Sequence, residues 1–172
     1  KTHGISKKHS QLERYVGPWY YEMHEVGYNY RITDFQCALG SSQLKKLEQF
    51  VQKRRQIAKI YDESFSNIDN LVIPETHNLV EHAYHLYPLQ IDFDKLSLTK
   101  SEFFEKMKQV GINLQVHYIP VHLQPFYKRN YGFTSGYCII AESFYSRAVS
   151  IPLYPSLTDS KVEKVVEDIN SF

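Results

Sequence analysis

The stretch that most constrains this chain is Gly27-Tyr28-Asn29-Tyr30-Arg31-Ile32-Thr33-Asp34-Phe35-Gln36-Cys37-Ala38-Leu39-Gly40. Its first half reads as a loop and its second half as the start of a long helix. Thr33 or Asp34 can cap that helix by accepting a hydrogen bond from a free backbone N–H. Asn29 and Arg31 then lie just outside a helix N-terminus, where unpaired N–H groups and the helix dipole favour anions. An amide, a guanidinium and two tyrosines at such a place suit a phosphorylated ligand. A capped helix beneath a tyrosine-rich loop accounts for the same residues without any ligand.

The helical signal runs over residues 33–66. Phe35, Leu39, Leu44, Leu47, Val51, Ile57, Ile60 and Phe65 recur close to a helical stripe. Gly40-Ser41-Ser42 predicts a bend or break. Lys45, Lys46, Lys53, Arg54, Arg55 and Lys59 read as a solvated polar face. Before this helix, residues 1–26 read as mostly irregular, with a short strand at 20–26 and a turn at Gly17-Pro18.

After it, strands and helices alternate. Leu71-Val72-Ile73-Pro74 reads as a short strand and 83–92 as a longer one, whose internal Pro88 predicts an edge position or a bulge. Thr99 and Glu102 form a capping box for a helix that buries Phe103, Met107 and Val110 and ends at Gly111. A strand over 113–119 closes at Pro120, and a loop with a helical turn follows near 125–129. A helix over 139–147 turns Ile140, Phe144 and Tyr145 inward. A strand over 149–153 precedes a last helix, 159–170, capped by Thr158 or Ser156. Prolines within or ending the strands suit a small α+β layer better than a doubly wound parallel sheet.

Composition narrows the possibilities. A chain of 172 residues with 42% hydrophobic content can bury one core. A formal charge of +1 lacks the basic excess of a dedicated nucleic-acid binder. No apolar run reaches the length of a membrane span, and no signal segment opens the chain. Cys37 and Cys138 are far apart and read as reduced, buried residues of a cytoplasmic protein. The chain opens on Lys1 in a stretch that reads as the middle of something larger: a fragment, a processed product or one piece of a longer polypeptide.

His82, His85, His117, Tyr118 and His122 form a second group. Their spacing lacks the ligand set of a metal site. They read either as histidines satisfying backbone groups at strand ends or as donors lining a polar ligand cleft.

Taken together, the 27–40 stretch and Gln43-Leu44-Lys45-Lys46-Leu47 resemble the motif of the DegT/DnrJ/StrS family, pyridoxal-phosphate-dependent nucleotide-sugar aminotransferases of fold type I. The opening Lys1-Thr2-His3-Gly4-Ile5, then His85-Leu86-Tyr87, then residues 111–122, then Ser150-Ile151-Pro152-Leu153-Tyr154-Pro155-Ser156-Leu157-Thr158-Asp159, resemble further family stretches in the same order. The wording Gln-Val-His-Tyr-Ile-Pro-Val-His is most similar to the branch that aminates a UDP-linked 4-keto-6-deoxy-N-acetylhexosamine in pseudaminic acid synthesis, a route tied to flagellin glycosylation.

The resemblance implies the C-terminal part of such an enzyme. Residues 1–32 would be the tail of the large domain with its cofactor and substrate loop. Residues 33–66 would be a linking helix, and 67–172 a small C-terminal domain with a mainly antiparallel sheet covered by helices. It implies that Asn29 contacts the pyridoxal 5'-phosphate, across a homodimer interface, with Tyr30 and Arg31 lining the shared site. Leu114, Gln115, Val116 and His117 would border the UDP-sugar, with Tyr118 and His122 nearby. The Schiff-base lysine would lie upstream of Lys1, so no catalytic residue is expected here and the chain alone is expected to be inactive. Glutamate is the implied amino donor, and the upstream half of the enzyme the implied partner. The alternatives are a non-catalytic sugar-nucleotide-binding or dimerisation domain, or a dehydratase-type relative with histidine in place of the lysine.

Overall fold

The computed structural model describes residues 3–172, so Lys1 and Thr2 of the opening motif lie outside the described residues. The chain divides into two compact units, with the boundary after Leu47. The division therefore falls inside the stretch expected to be one linking helix.

In the first unit, β1 (Ile5–Ser6) pairs antiparallel with β2 (Glu22–Met23), Ile5 opposite Met23. The strand expected over 20–26 is thus only two residues long. The Glu22 carboxylate accepts from the backbone N–H groups of Glu13 and Arg14 and from the Tyr20 hydroxyl, which ties the irregular 13–20 segment to β2. Gly4 has φ +74° and Gly27 packs against it; a Cβ on Gly4 would collide with the Glu25 carbonyl, and one on Gly27 with the Gly4 nitrogen. With His24 N–H donating to Gly4 O and His3 N–H to Tyr28 O, these glycines anchor the root of the 28–33 loop.

Helix α1 (Asp34–Leu44) begins with a capping box: Thr33 Oγ1 accepts from Gln36 N–H and the Gln36 side chain accepts from Thr33 N–H. Thr33, not Asp34, is the cap. The helix continues through Gly40-Ser41-Ser42, where open space surrounds Gly40, and breaks instead at Lys45-Lys46. None of its residues is buried; Phe35 is 81% exposed, so the first half of the expected apolar stripe faces outward.

The second unit is organised around α2 (Leu47–Phe65), which buries Ile57, Ala58, Tyr61 and Phe65 along one face. These side chains share one core with a three-stranded antiparallel sheet in the order β3 (Leu71–Val72), β4 (Tyr87–Ile91), β5 (Ala148–Ile151). Tyr87, Leu89 and Ile91 alternate inward, and all four residues of β5 are buried. The buried phenols are satisfied: Tyr61 donates to Pro152 O and Tyr87 to Asp62 Oδ1, and burial pushes both hydroxyl pKa values up.

Pro88 lies in the central strand, not at an edge. Ser150, its partner in β5, spends both its N–H and its carbonyl on Gln115, so Pro88 occupies a non-hydrogen-bonded pair. On its other side the β3–β4 register would bring Pro74 opposite Pro88, two residues without N–H, and the ladder stops at Val72–Gln90. β4 also begins later than residue 83. Arg54 Nη1 takes the carbonyls of Tyr84 and His85, which are therefore lost to a neighbouring strand. Arg54 also takes Leu153 O, and Arg55 holds the carbonyls of Glu81 and His82, so part of the basic run expected to be solvated is structural.

α3 (Lys100–Gln109) carries the Thr99–Glu102 capping box and ends at Gly111 with φ +85°. Val110 is exposed, because it is the C-cap and has left helical geometry. A short 3-10 turn (Val121–Leu123) and α4 (Pro125–Tyr131) follow. In α5 (Ile139–Arg147), Ile140 is 87% exposed and Phe144 is exposed too. The inward side of this helix is polar: Glu142 turns toward His122, and Tyr145 is half-buried. Lys100 Nζ donates to Tyr145 O and Ala148 O at its C-terminus. α6 (Asp159–Asn170) follows Thr158 and buries Val162, Val165 and Ile169. Cys37 is exposed and Cys138 half-buried, and both are free.

Candidate functional site

The candidate residues fall in two places, one in each unit. In the first, Tyr28, Asn29, Tyr30 and Arg31 form the exposed loop between the glycine-anchored hairpin and the Thr33 cap. The rings of Tyr28 and Tyr30 stack, with centroids 5.1 Å apart and planes 8° from parallel. The Asn29 amide and the Arg31 guanidinium have no hydrogen-bond or ion-pair partner among the described residues. They are therefore free to meet an acceptor. Asp34 already supplies a negative charge to the first turn of α1, which blunts the pull of the helix end on an anion. Recognition of a phosphate at this loop would rest on the Asn29 and Arg31 side chains more than on the dipole. That donor set fits the phosphate end of pyridoxal phosphate.

In the second unit, the expected strand over 113–119 is reduced to a single bridge. Gln115 exchanges both backbone hydrogen bonds with Ser150, at 3.1 and 2.7 Å. The next pair on one side would be Asn113 with Pro152, which has no N–H to give. On the other side, the Ala148 carbonyl is taken by Lys100.

This places the predicted residues unequally. Leu114 belongs to the hydrophobic core, so its side chain packs inward. Gln115 and Tyr118 are exposed, Tyr118 at 76%, and Val116 and His117 are half-buried. His117 and Tyr118, with Pro120, Tyr137, Cys138 and Ile139, line an open groove of about 820 Å³. His122 is 8% exposed, and its Nε2 lies 2.8 Å from Glu142 Oε1, so it is an internal anchor and not a free donor.

Glu142 is the polar centre of this region. Its carboxylate accepts from Gly136 N–H, the Ser135 hydroxyl and Cys138 N–H as well as facing His122. The Gly136 N–H foremost, then His122 and Ser135, hold its pKa down at about 2. Lys100 is the lysine that burial pushes below its ordinary pKa, but its ammonium is committed to two carbonyls. Among the described residues no three His, Cys, Asp or Glu side chains are grouped to hold a metal. Ser150, Glu142 and Arg54 carried no signal in the sequence beyond their residue types; Ser150 falls inside a resembling motif, but its role needs the fold.

The second unit is thus an α+β domain built on a small antiparallel sheet, and the first carries a capped helix and a loop whose Asn29 and Arg31 side chains are uncommitted. The sequence profile of the DegT/DnrJ/EryC1/StrS aminotransferase family matches residues 1–170, and the chain belongs to that family. It is 39% identical over 168 residues to the spore coat polysaccharide biosynthesis protein SpsC of Bacillus subtilis, covering 97% of this chain and 43% of that protein. It is 36% identical over 166 residues to the UDP-4-amino-4,6-dideoxy-N-acetyl-beta-L-altrosamine transaminase of Campylobacter jejuni, covering 95% and 41%. The solved structure of Helicobacter pylori PseC, an aminotransferase involved in the biosynthesis of pseudoaminic acid, superposes with a TM-score of 0.79 at 28% identity, over 99% of this chain and 43% of that one. The chain spans roughly two fifths of the length of the relatives it matches.

Proposed function

We propose that this chain is the C-terminal part of a pyridoxal-phosphate-dependent aminotransferase that moves an amino group, from glutamate, to the 4-keto carbon of a UDP-linked 6-deoxy-N-acetylhexosamine. The observation that carries the reading is the exposed, uncommitted Asn29 and Arg31 pair beside the Thr33 cap, within a chain that matches the family from residue 1 to 170. The transaminase of Campylobacter jejuni and the Helicobacter pylori structure support the substrate class.

Bound pyridoxal phosphate supplies the electron sink that lets an amino group pass from donor to keto acceptor. The chain's own residues bind and orient. Asn29 donates to the cofactor phosphate, from one protomer of a cytoplasmic homodimer into the site of the other. Arg31 and Tyr30 line the same shared site. Gln115, Val116, His117 and Tyr118 face the nucleotide-sugar, with the Gln115 main chain pinned to β5.

The test is a borohydride trap on the intact gene product and on the 172-residue chain. Each is mixed with pyridoxal phosphate, reduced and digested. Labelling of a single lysine outside residues 1–172, with none inside, is the expected result. Stoichiometric labelling of one lysine within these residues overturns the two-part site. Asn29→Ala in the intact gene product is expected to lower cofactor retention; unchanged cofactor content would remove Asn29 from the site.

A further inference from the structure

Ser150 is 6% exposed in the middle of β5 and grips the 115–117 segment at three points. Its N–H donates to Gln115 O at 2.7 Å, its carbonyl accepts from Gln115 N–H at 3.1 Å, and its Oγ lies 2.8 Å from His117 Nδ1. No other described residue offers that hydroxyl an acceptor. A largely buried O–H that withheld its proton from its one available protein acceptor would forfeit that hydrogen bond. The hydroxyl therefore donates to Nδ1. A neutral imidazole whose Nδ1 accepts carries its proton on Nε2.

We infer that Ser150 is a positioning residue, which fixes His117 as the Nε2–H tautomer and so makes the ring a hydrogen-bond donor to an oxygen of the bound nucleotide-sugar. This rests on the reading of residues 115–118 as sugar-facing. The two-way backbone pair with Gln115 keeps the segment from sliding, which preserves the contact between Ser150 Oγ and the ring. Tyr118 restrains the other flank, edge-on with its centroid 4.8 Å from that of His117. His117 thus presents one defined donor at the wall of the groove. A donor there selects for ligands that place a carbonyl, hydroxyl or phosphate oxygen opposite it.

The test uses the intact gene product with 15N-labelled histidine imidazoles, His117 being assigned by its loss in His117→Gln. The expected spectrum shows the Nε2–H tautomer, giving way to mixed tautomers in Ser150→Ala and persisting in Ser150→Thr, which keeps the hydroxyl. By calorimetry with UDP-N-acetylglucosamine, Ser150→Ala is expected to bind about five- to tenfold more weakly and Ser150→Thr close to normally. UDP alone serves as the second arm. If it loses affinity in parallel, the accepting oxygen is on the uridine diphosphate part; if it does not, the oxygen is on the sugar. An Nδ1–H tautomer in the wild type overturns the inference whatever happens to binding. If His117→Gln weakens binding but Ser150→Ala does not, positioning by Ser150 falls and the sugar-facing reading stands. If neither variant weakens binding, the sugar-facing reading falls and the role of Ser150 with it.

Discussion

Glu142 shows how one side chain can organise a surface loop. Its carboxylate collects backbone N–H groups, a serine hydroxyl and His122, and these donors favour the ionised form, which is why its pKa is held at about 2 against an ordinary 4.5. A carboxyl whose folded-state pKa is depressed stabilises the fold fully above its unfolded pKa and loses that contribution as pH falls toward the folded value. The window here runs from about 4.5 down to about 2. The Gly136 amide signal is therefore expected to stay flat between about pH 6 and pH 3, and to move only below that range; an inflection near 4.5 would break the assignment. Glu142→Gln is expected to destabilise the 135–138 loop and to flatten its response to acid. Gly4 makes a different demand. With φ +74° and the Glu25 carbonyl where a Cβ would go, Gly4→Ala must push the backbone at the root of the 28–33 loop. A thermal melt of the wild type and variant is expected to show a loss above about 1 kcal/mol; an unchanged melting temperature would mean that the loop root is not held there. Neither role was legible in the sequence. Glu142 looks like an ordinary polar residue in a short helix, and its four partners converge only once the loop is folded. Gly4, Asn29 and Arg31 could be singled out from their motifs, but that Asn29 and Arg31 remain uncommitted is a fact of the fold.

At the scale of elements, the helices were easier to read than the strands. Both capping boxes, Thr33–Gln36 and Thr99–Glu102, are local sequence patterns that need no tertiary partner to form, although Gln36 in the first was not picked out. The strands depend on what lies across from them. Residues 113–119 have strand composition, yet the pairing positions they would meet are Pro152, just past β5, at one end and the lysine-bound Ala148 carbonyl at the other. The break between the first two helices is displaced rather than absent: glycine and serines predict it at 40–42, but with nothing crowding Gly40 the helix bears only the modest propensity cost and runs on to Leu44. Arg54 is the clearest case of tertiary override. Its Nη1 lies 2.9–3.2 Å from the carbonyls of Tyr84, His85 and Leu153, joining the approach to β4 to the end of β5. Arg54→Met keeps the stem and removes the donor. It is expected to cost about 2 kcal/mol in urea unfolding, because charged donors to carbonyls are among the stronger hydrogen bonds and three acceptors lose their partner together. A variant as stable as the wild type would return Arg54 to the solvated face it resembled in the sequence.

For the whole molecule, what remains uncovered is as informative as the core. Helix α1 buries none of its residues, leaving Phe35, Leu39 and Leu44 open to solvent, with Leu47 exposed at the start of α2. In the second unit, Tyr118, Ile139 and Ile140 are exposed together along the groove. The apolar residues of α1 are legible in the sequence; that none of them is buried is not, because a pattern reports which residues are apolar and not what they meet. Contiguous apolar surface of this kind drives association in water. The 172-residue chain produced by itself is therefore expected to self-associate in sedimentation velocity at micromolar concentration and to brighten an apolar-surface dye. Phe35→Glu combined with Leu39→Glu places two charges on the α1 face without touching the core, since both side chains are exposed. That variant is expected to shift the chain toward monomer while its unfolding transition stays within about 0.5 kcal/mol of the wild type. Two results would separate the possible faults in this reasoning. A wild-type monomer that binds no dye would show that the exposed residues do not form an adhesive surface. Association undiminished in the variant would move that surface from α1 to the Tyr118–Ile140 groove, where Ile140→Lys becomes the corresponding substitution.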